Sequence, residues 1–383
     1  MPFLLVLGLG AFASSFSTRA VDPMLNLLAG DLQVTIQDVA LLASAFTLPY
    51  AVMQMVFGPI GDAVGKVRLV RVNLVLLSLG LIASALAASH AQLMAARVFS
   101  GAVAGGIIPV TLAVVGDRVG FEARPVALSR ILLAIVLGQL IGAALSGVIS
   151  QMLGWRNVFW TACAIAVAAA LASSFAIRET GRRRPLSFRT ALERYALVLR
   201  NPMAVRVYAC VAVEGAAAFG IFPLVAPLMV AHGFGDAVEA GIVIAGFAIG
   251  GAGYTFAVTW LVRRLGLAGM AGSGAALAGL LFMTLAIAPG LPFAAVTFAL
   301  AGFTFYMLHN TLQILATEIA PEARGSAMAL FATAFFSGQA LGAIATAHAA
   351  AWLGIERAIV LSGAVMLALA LPAALLVPRK AAE

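Results

Sequence analysis

Charge is what this 383-residue chain has least of. Asp, Glu, Lys and Arg make up 10% of it, where a soluble domain carries about a quarter, so the soluble classes are excluded at the outset. Cysteine is almost as scarce. Only Cys163 and Cys210 occur, both inside apolar runs and neither in a CxxC, which leaves no disulfide framework and no thiolate site. The four histidines, at positions 90, 232, 309 and 348, form no HxxxH or HExxH pair, so no metal site is expected. No Walker lysine follows a glycine loop, so ATP is not the driver. Gly8-Leu9-Gly10-Ala11-Phe12-Ala13 imitates a dinucleotide fingerprint but lies inside an apolar run with no strand before it. With no paired nucleophile and base, neither an enzyme nor a cofactor is expected.

What is present is apolar length. Hydrophobic residues make up 63% of the chain and mean hydropathy is +1.07. A helix needs about 20 apolar residues to cross roughly 30 Å of hydrocarbon, and runs of that length recur from end to end. They predict an all-α membrane protein of twelve spans: 3–29, 38–61, 69–89, 92–116, 125–152, 156–178, 203–231, 237–262, 267–288, 291–318, 324–352 and 356–377. Met1 to Ala20 lacks a basic n-region and a cleavage site, so it reads as part of span 1 and not as a leader. The net charge of +8 sits in connections, without aromatic interleaving, so nucleic acid is not an expected partner and the lipid bilayer is. Connections beginning at Asp62, Gly116, Glu179, Arg263 and Ile319 hold nearly all the cations. By the positive-inside rule both termini are expected in the cytoplasm.

The stretch Glu179 to Pro202 contains Arg182, Arg183, Arg184, Arg189, Arg194 and Arg200 and divides the chain six spans to six. The expected organisation is a bundle over 1–178, a cytoplasmic basic linker over 179–202 with an amphipathic helix near 187–199, and a second bundle over 203–383. The linker reads as a topological anchor or as a regulatory or anionic-lipid site. The halves repeat. Glu122-Ala123-Arg124 returns as Glu322-Ala323-Arg324, Gly138-Gln139 through Gly142-Ala143 as Gly338-Gln339 through Gly342-Ala343, and Leu153-Gly154 as Leu353-Gly354. All three share an offset of 200, which makes the six spans a parallel repeat.

Between spans 2 and 3 lies the most specific motif, with Gly58, Asp62, Gly65, Lys66 and Arg68 in order and Ala63 and Val67 among them. With the parallel six-span halves and the basic linker, this resembles the major facilitator superfamily, in particular its twelve-span drug:proton antiporter branch. That resemblance covers the whole chain and implies alternating access around a midplane site. The family's motif reads Gly, three residues, Asp, a basic residue, any residue, Gly, then basic residues; Ala63 and Val67 stand where cations are usual. The resemblance implies that Asp62, with Gly58, Gly65, Lys66 and Arg68, forms a conformational latch against the start of span 11, near Glu322 to Ser326. A carboxylate at a helix N-terminus is stabilised by roughly 0.3–1 kcal/mol, and the same residue also reads as a plain turn cap. At offset 200 its counterpart is Val262, so the latch is expected to be one-sided.

Charges within spans cost about 2.5–3.5 kcal/mol each and are functional candidates by default. Arg19 and Asp22 share a helical face with Ser15 and Asn26; Arg97 opens span 4, followed by Gly101; Glu214 lies about 16 Å into span 7. Span 10 adds Tyr306, His309, Asn310 and Gln313. Proton coupling needs a group that changes charge as the site opens and closes, and Asp22, Glu214 and Arg97 are the coupling candidates. Arg19, Asn26, Tyr50, Gln54, Tyr306, His309, Asn310 and Gln313 are the substrate-cavity candidates. The family implies that spans 1, 4, 7 and 10 line the cavity and that the Arg97–Gly101 pattern serves proton coupling. The same charges also read as static salt bridges that make insertion tolerable. Phe46, Tyr50, Met53, Gln54, Phe57, Phe219, Phe222 and Tyr254 suit an apolar wall or plain packing.

In span 5, Gly138, Gly142, Ala143, Ser146 and Gly147 resemble the antiporter motif with Ala for its Pro and Ser for one Gly. Small residues there also suit close packing. The expected function is proton-coupled efflux of a small organic or amphipathic compound by a monomer in the inner (plasma) membrane. The alternatives are proton-coupled uptake of an organic anion or metabolite, recognised by Arg19 or Arg97, and, more remotely, a non-transporting membrane sensor.

Overall fold

Apolar runs of this length form helices because lipid offers no partner for backbone N–H and C=O groups, which must be satisfied within the segment. The computed structural model describes residues 2–120, 123–179, 187–320 and 323–377, and among these no strand occurs. Spans 1 to 6 are Phe3–Leu32, Ile36–Val64, Lys66–Ala85, His90–Arg118, Val126–Leu153 and Trp155–Ala176. After a helix at Phe188–Leu199, span 7 is Pro202–Ala231 and spans 10 to 12 are Leu291–Glu318, Arg324–Leu353 and Ile355–Leu376. The helical stretch Ala237–Leu285 has 49 residues, about 74 Å at 1.5 Å per residue and more than twice the hydrocarbon thickness. It is two spans, 8 and 9, because Gly266 within it leaves the helical region at φ 64°, ψ 173°. The described residues therefore hold the twelve spans predicted. Phe175 and Phe256 are 87% and 90% exposed, large apolar surfaces of a kind that hydrocarbon, and not water, accommodates.

The repeat is visible in the packing. Span 5 approaches span 1 where a Cβ on Gly138 would lie 2.7 Å from the Phe12 carbonyl oxygen and one on Gly142 2.9 Å from that of Phe16. Exactly 200 residues later span 11 meets span 7 the same way, Gly338 against Ala212 and Gly342 against Ala216. Only glycine permits such backbone contact. Spans 2 and 4 meet where a Cβ on Gly101 would lie 2.0 Å from the Phe46 carbonyl oxygen, and Gly302 meets Phe247 at the same 2.0 Å. This second pair is offset by 201. So are the left-handed glycines of the tight turns, Gly65 at φ 103° and Gly266 at φ 64°. The register around the motif is thus 201, which corrects the expected counterpart of Asp62 from Val262 to Arg263. The acid is still missing from the second half, and a cation stands in its place.

Contacts divide the chain into two compact units. One comprises Met1–Arg189 with Val225–Ala245, the other Thr190–Leu224 with Gly246–Glu383. Within the first, Gly147 and Gly241 let span 5 and the start of span 8 touch backbone to backbone: a Cβ on Gly147 would lie 2.3 Å from the Ala237 carbonyl oxygen.

Candidate functional site

Span 1 is not one continuous helix. Its first segment ends at Arg19 and a 3-10 turn, Asp22–Met24, precedes the second segment, Leu25–Leu32. Pro23 is the cause: it has no N–H for the Arg19 carbonyl, and its ring crowds that carbonyl. Span 7 breaks at the equivalent point, between Pro202–Phe219 and Phe222–Ala231, and Pro223 stands 200 residues after Pro23. The two helical segments before the breaks coincide residue for residue at that offset. Polar groups from other spans serve the carbonyls near each break. The Ser17 carbonyl accepts from an Arg97 terminal nitrogen at 2.9 Å, and the Gly220 carbonyl accepts from the Thr346 hydroxyl.

The break in the first unit collects charge. An Arg19 terminal nitrogen donates to Asp22 Oδ2 at 3.3 Å. Arg97, 0% exposed, also donates from Nε to the Leu42 carbonyl at 3.4 Å, and its guanidinium lies 4.3 Å over the Phe46 ring. Gly101 makes this reach available, because it brings span 4 against span 2 at Phe46. Asp22 lies within electrostatic reach of Arg97 as well. Sequence spacing therefore identified the three residues that the fold assembles. It did not identify Phe46 as the ring beneath Arg97, although Gly101 and Gly105, facing the Phe46 and Tyr50 carbonyls, were the available signal.

In the second unit the equivalent positions are aromatic. Phe219 and Phe222 stand where Arg19 and Asp22 stand at offset 200, and Phe298 stands where Arg97 does at offset 201. Their rings touch, with centroids 4.7 Å apart for Phe219–Phe222 and 5.2 Å for Phe222–Phe298. Beside this cluster Glu214, 0% exposed, places Oε2 3.0 Å from His309 Nδ1, while Oε1 has no hydrogen-bond partner among the described residues. The His309 ring stacks on Phe305 and lies 4.5 Å from the Phe335 centroid. Glu214 and His309 were read separately from the sequence; the fold makes them a pair.

The other candidates distribute around these two centres. Asn310 donates to the Tyr254 hydroxyl at 2.9 Å, and Tyr254 stacks on Tyr306. Gln313 is exposed. Tyr50 stacks on Phe46, and Gln54 is buried with its amide nitrogen unpartnered among the described residues. Asn26 is drawn away from Asp22 and donates to Asp236 Oδ1 at 2.8 Å, so the expected polar stripe on span 1 ends at the break. At the motif, Lys66 contacts Asp62 at 3.3 Å and Asp117 at 2.7 Å. Glu179 accepts from the Arg68 backbone N–H at 3.0 Å. Its carboxylate also fills the space a side chain on Gly65 would need, so Gly65 is required both for its left-handed backbone and for room. Glu322 and Arg182 to Arg184 lie outside the described residues.

The model of the Major Facilitator Superfamily matches residues 7–343. The chain belongs to that superfamily. It is a multi-pass membrane protein, of a transporter family whose members are in general not enzymes. It is 28% identical over 171 residues to the efflux pump vrtL of Penicillium aethiopicum, covering 44% of this chain and 34% of the pump. It is 27% identical over 161 residues to the uncharacterized MFS-type transporter YwfA of Bacillus subtilis, covering 42% and 39%. The chain thus spans about a third to two fifths of these curated relatives. Among solved structures, a bacterial homologue of the human lysosomal transporter Spinster, inward-facing and unoccupied, superposes with a TM-score of 0.83 at 17% identity, over 97% of this chain and 96% of that one.

Proposed function

We propose that this transporter is a proton-coupled exporter of a small organic, amphipathic compound, working by alternating access. One observation carries the reading: Glu214 is wholly buried, with one oxygen on His309 and the other unpartnered among the described residues. An isolated charge in an apolar setting is costly, so the charge on Glu214 must follow the arrival and departure of a proton. Asp22 and Arg97 form the second coupling pair, on the first unit. The buried aromatic cluster of Phe219, Phe222 and Phe298 suits an apolar cargo, and the pump among the relatives supports export. Asp62 acts as the latch, with Lys66 and Arg68 beside it. The transporter works as a monomer in the plasma membrane with both termini in the cytoplasm, in keeping with its cation-rich connections.

Everted vesicles with an acid lumen provide the test, using a panel of fluorescent amphipathic dyes. Export by antiport accumulates a dye in the lumen as protons leave. Loss of preloaded dye together with the protons is the signature of uptake symport and removes the exporter reading.

A further inference from the structure

Among the described residues no carboxylate is bonded to Arg97, and the acid nearest to it in electrostatic terms, Asp22, is shared with Arg19. It is wholly buried, its hydrogen-bond acceptors are the Ser17 and Leu42 carbonyls, and the Phe46 ring covers one face. Its remaining terminal nitrogen has no hydrogen-bond partner among the described residues. The acid within its reach, Asp22, already bonds Arg19. Carbonyl dipoles and a ring face offset a guanidinium in part, but a buried cation without a bonded anion is strongly disfavoured, and a buried donor left unmade keeps its full desolvation penalty. The other half carries no such arrangement, since Phe298 fills the position equivalent to Arg97. The charge is therefore no requirement of the fold. Nor is the backbone regular here: the Pro23 break lies one turn from Ser17, and irregular membrane backbone is tolerated where it is buried in protein or lines a cavity.

We infer that the Arg19–Asp22–Arg97 centre of the first unit is a binding site for a monoanion, taken by the free Arg97 N–H, and that its ligand is the carboxylate of the transported compound or a chloride ion. The one free nitrogen offers a charge-assisted hydrogen bond that a carboxylate oxygen or a chloride can accept. This deepens the proposed function by giving the cargo a charge class, and rests on it for its physiological meaning alone.

The test is equilibrium binding of radiolabelled benzoate and of radiolabelled chloride to the full-length protein in nanodiscs of zwitterionic lipid. Saturable benzoate binding that Arg97→Gln weakens by roughly tenfold or more is expected. Asp22→Asn should act in the opposite direction and tighten binding several-fold, because it removes the negative charge that competes with the ligand; misfolding does not produce a gain. Chloride binding alone, with the same response to the two variants, supports the site and assigns it to the inorganic ion. Absence of saturable binding for both anions, or binding that neither variant changes, overturns the inference. The exporter reading is judged separately, by the direction of dye movement in everted vesicles, so either can fail alone.

Discussion

Arg19 and Phe219 close the same helical segment in the two halves, each the last residue before a break set by a proline four positions on. One copy leads into a charged centre and the other into an aromatic cluster. The repeat thus supplies two equivalent irregular points in the membrane, and side-chain identity gives them opposite character. Neither charge nor ring is needed to make the break, because the prolines do that. What differs between the halves is therefore available to serve the cargo and the coupling ion.

The Glu214–His309 pair gives the first prediction. Glu214→Gln keeps the shape and a hydrogen-bonding oxygen for His309 but cannot bind and release a proton. Gradient-driven dye movement should fall to background while dye exchange at equal pH persists, and the pH dependence of flux should flatten. Unchanged gradient dependence in proteoliposomes eliminates Glu214 as the coupling site.

Glycine substitutions should separate packing from motion. Gly101→Ala and Gly302→Ala each set a methyl 2.0 Å from a carbonyl oxygen, which the backbone cannot clear, so each should cost about 1–3 kcal/mol. Gly58 has nothing within 4 Å, and Gly58→Ala in a helix interior should be neutral or stabilising by up to about 1 kcal/mol. Thermal unfolding in detergent ranks the three. Equal destabilisation by all would contradict the repeat seam.

Arg97→Lys should not be conservative. An ammonium has no planar fork to reach the Ser17 and Leu42 carbonyls while lying flat on Phe46. A loss of about 1–3 kcal/mol is expected, against less than about 1 kcal/mol for Arg156→Lys, whose ion pair with Asp31 is largely exposed. Parallel melting curves decide it, and a neutral Arg97→Lys would show that the carbonyl contacts carry little.

At the motif, Lys66 bridges two half-exposed carboxylates. Exposed pairs contribute little, so Asp117→Asn and Asp62→Asn should each lower stability by less than about 1 kcal/mol. Asp62→Asn alone should slow turnover, because only Asp62 is proposed to latch. Equal turnover in both variants removes that role.

Much of this was legible in the sequence. Span count and the repeat follow from apolar length and from the offset of 200, and the cost of charge in lipid singled out Arg19, Asp22, Arg97 and Glu214, which the fold buries. The register around Asp62 did not follow, because one residue is gained before span 8 and lost before span 11, and only the glycine contacts reveal it. Glu179 was legible only as the start of a basic linker, since its partner at Arg68 is 111 residues away.

The sequence by itself determined that this chain is a twelve-span repeat protein, because burying a backbone in hydrocarbon depends on the length and polarity of each segment alone. The tertiary structure decided which polar groups meet. Glu214 reaches His309 across 95 residues, and Asn26 leaves Asp22's neighbourhood for Asp236 across 210. Such pairings depend on the depth and rotation of each helix. Those are set by where glycines let backbones touch and prolines interrupt them, and a one-dimensional pattern does not carry that information.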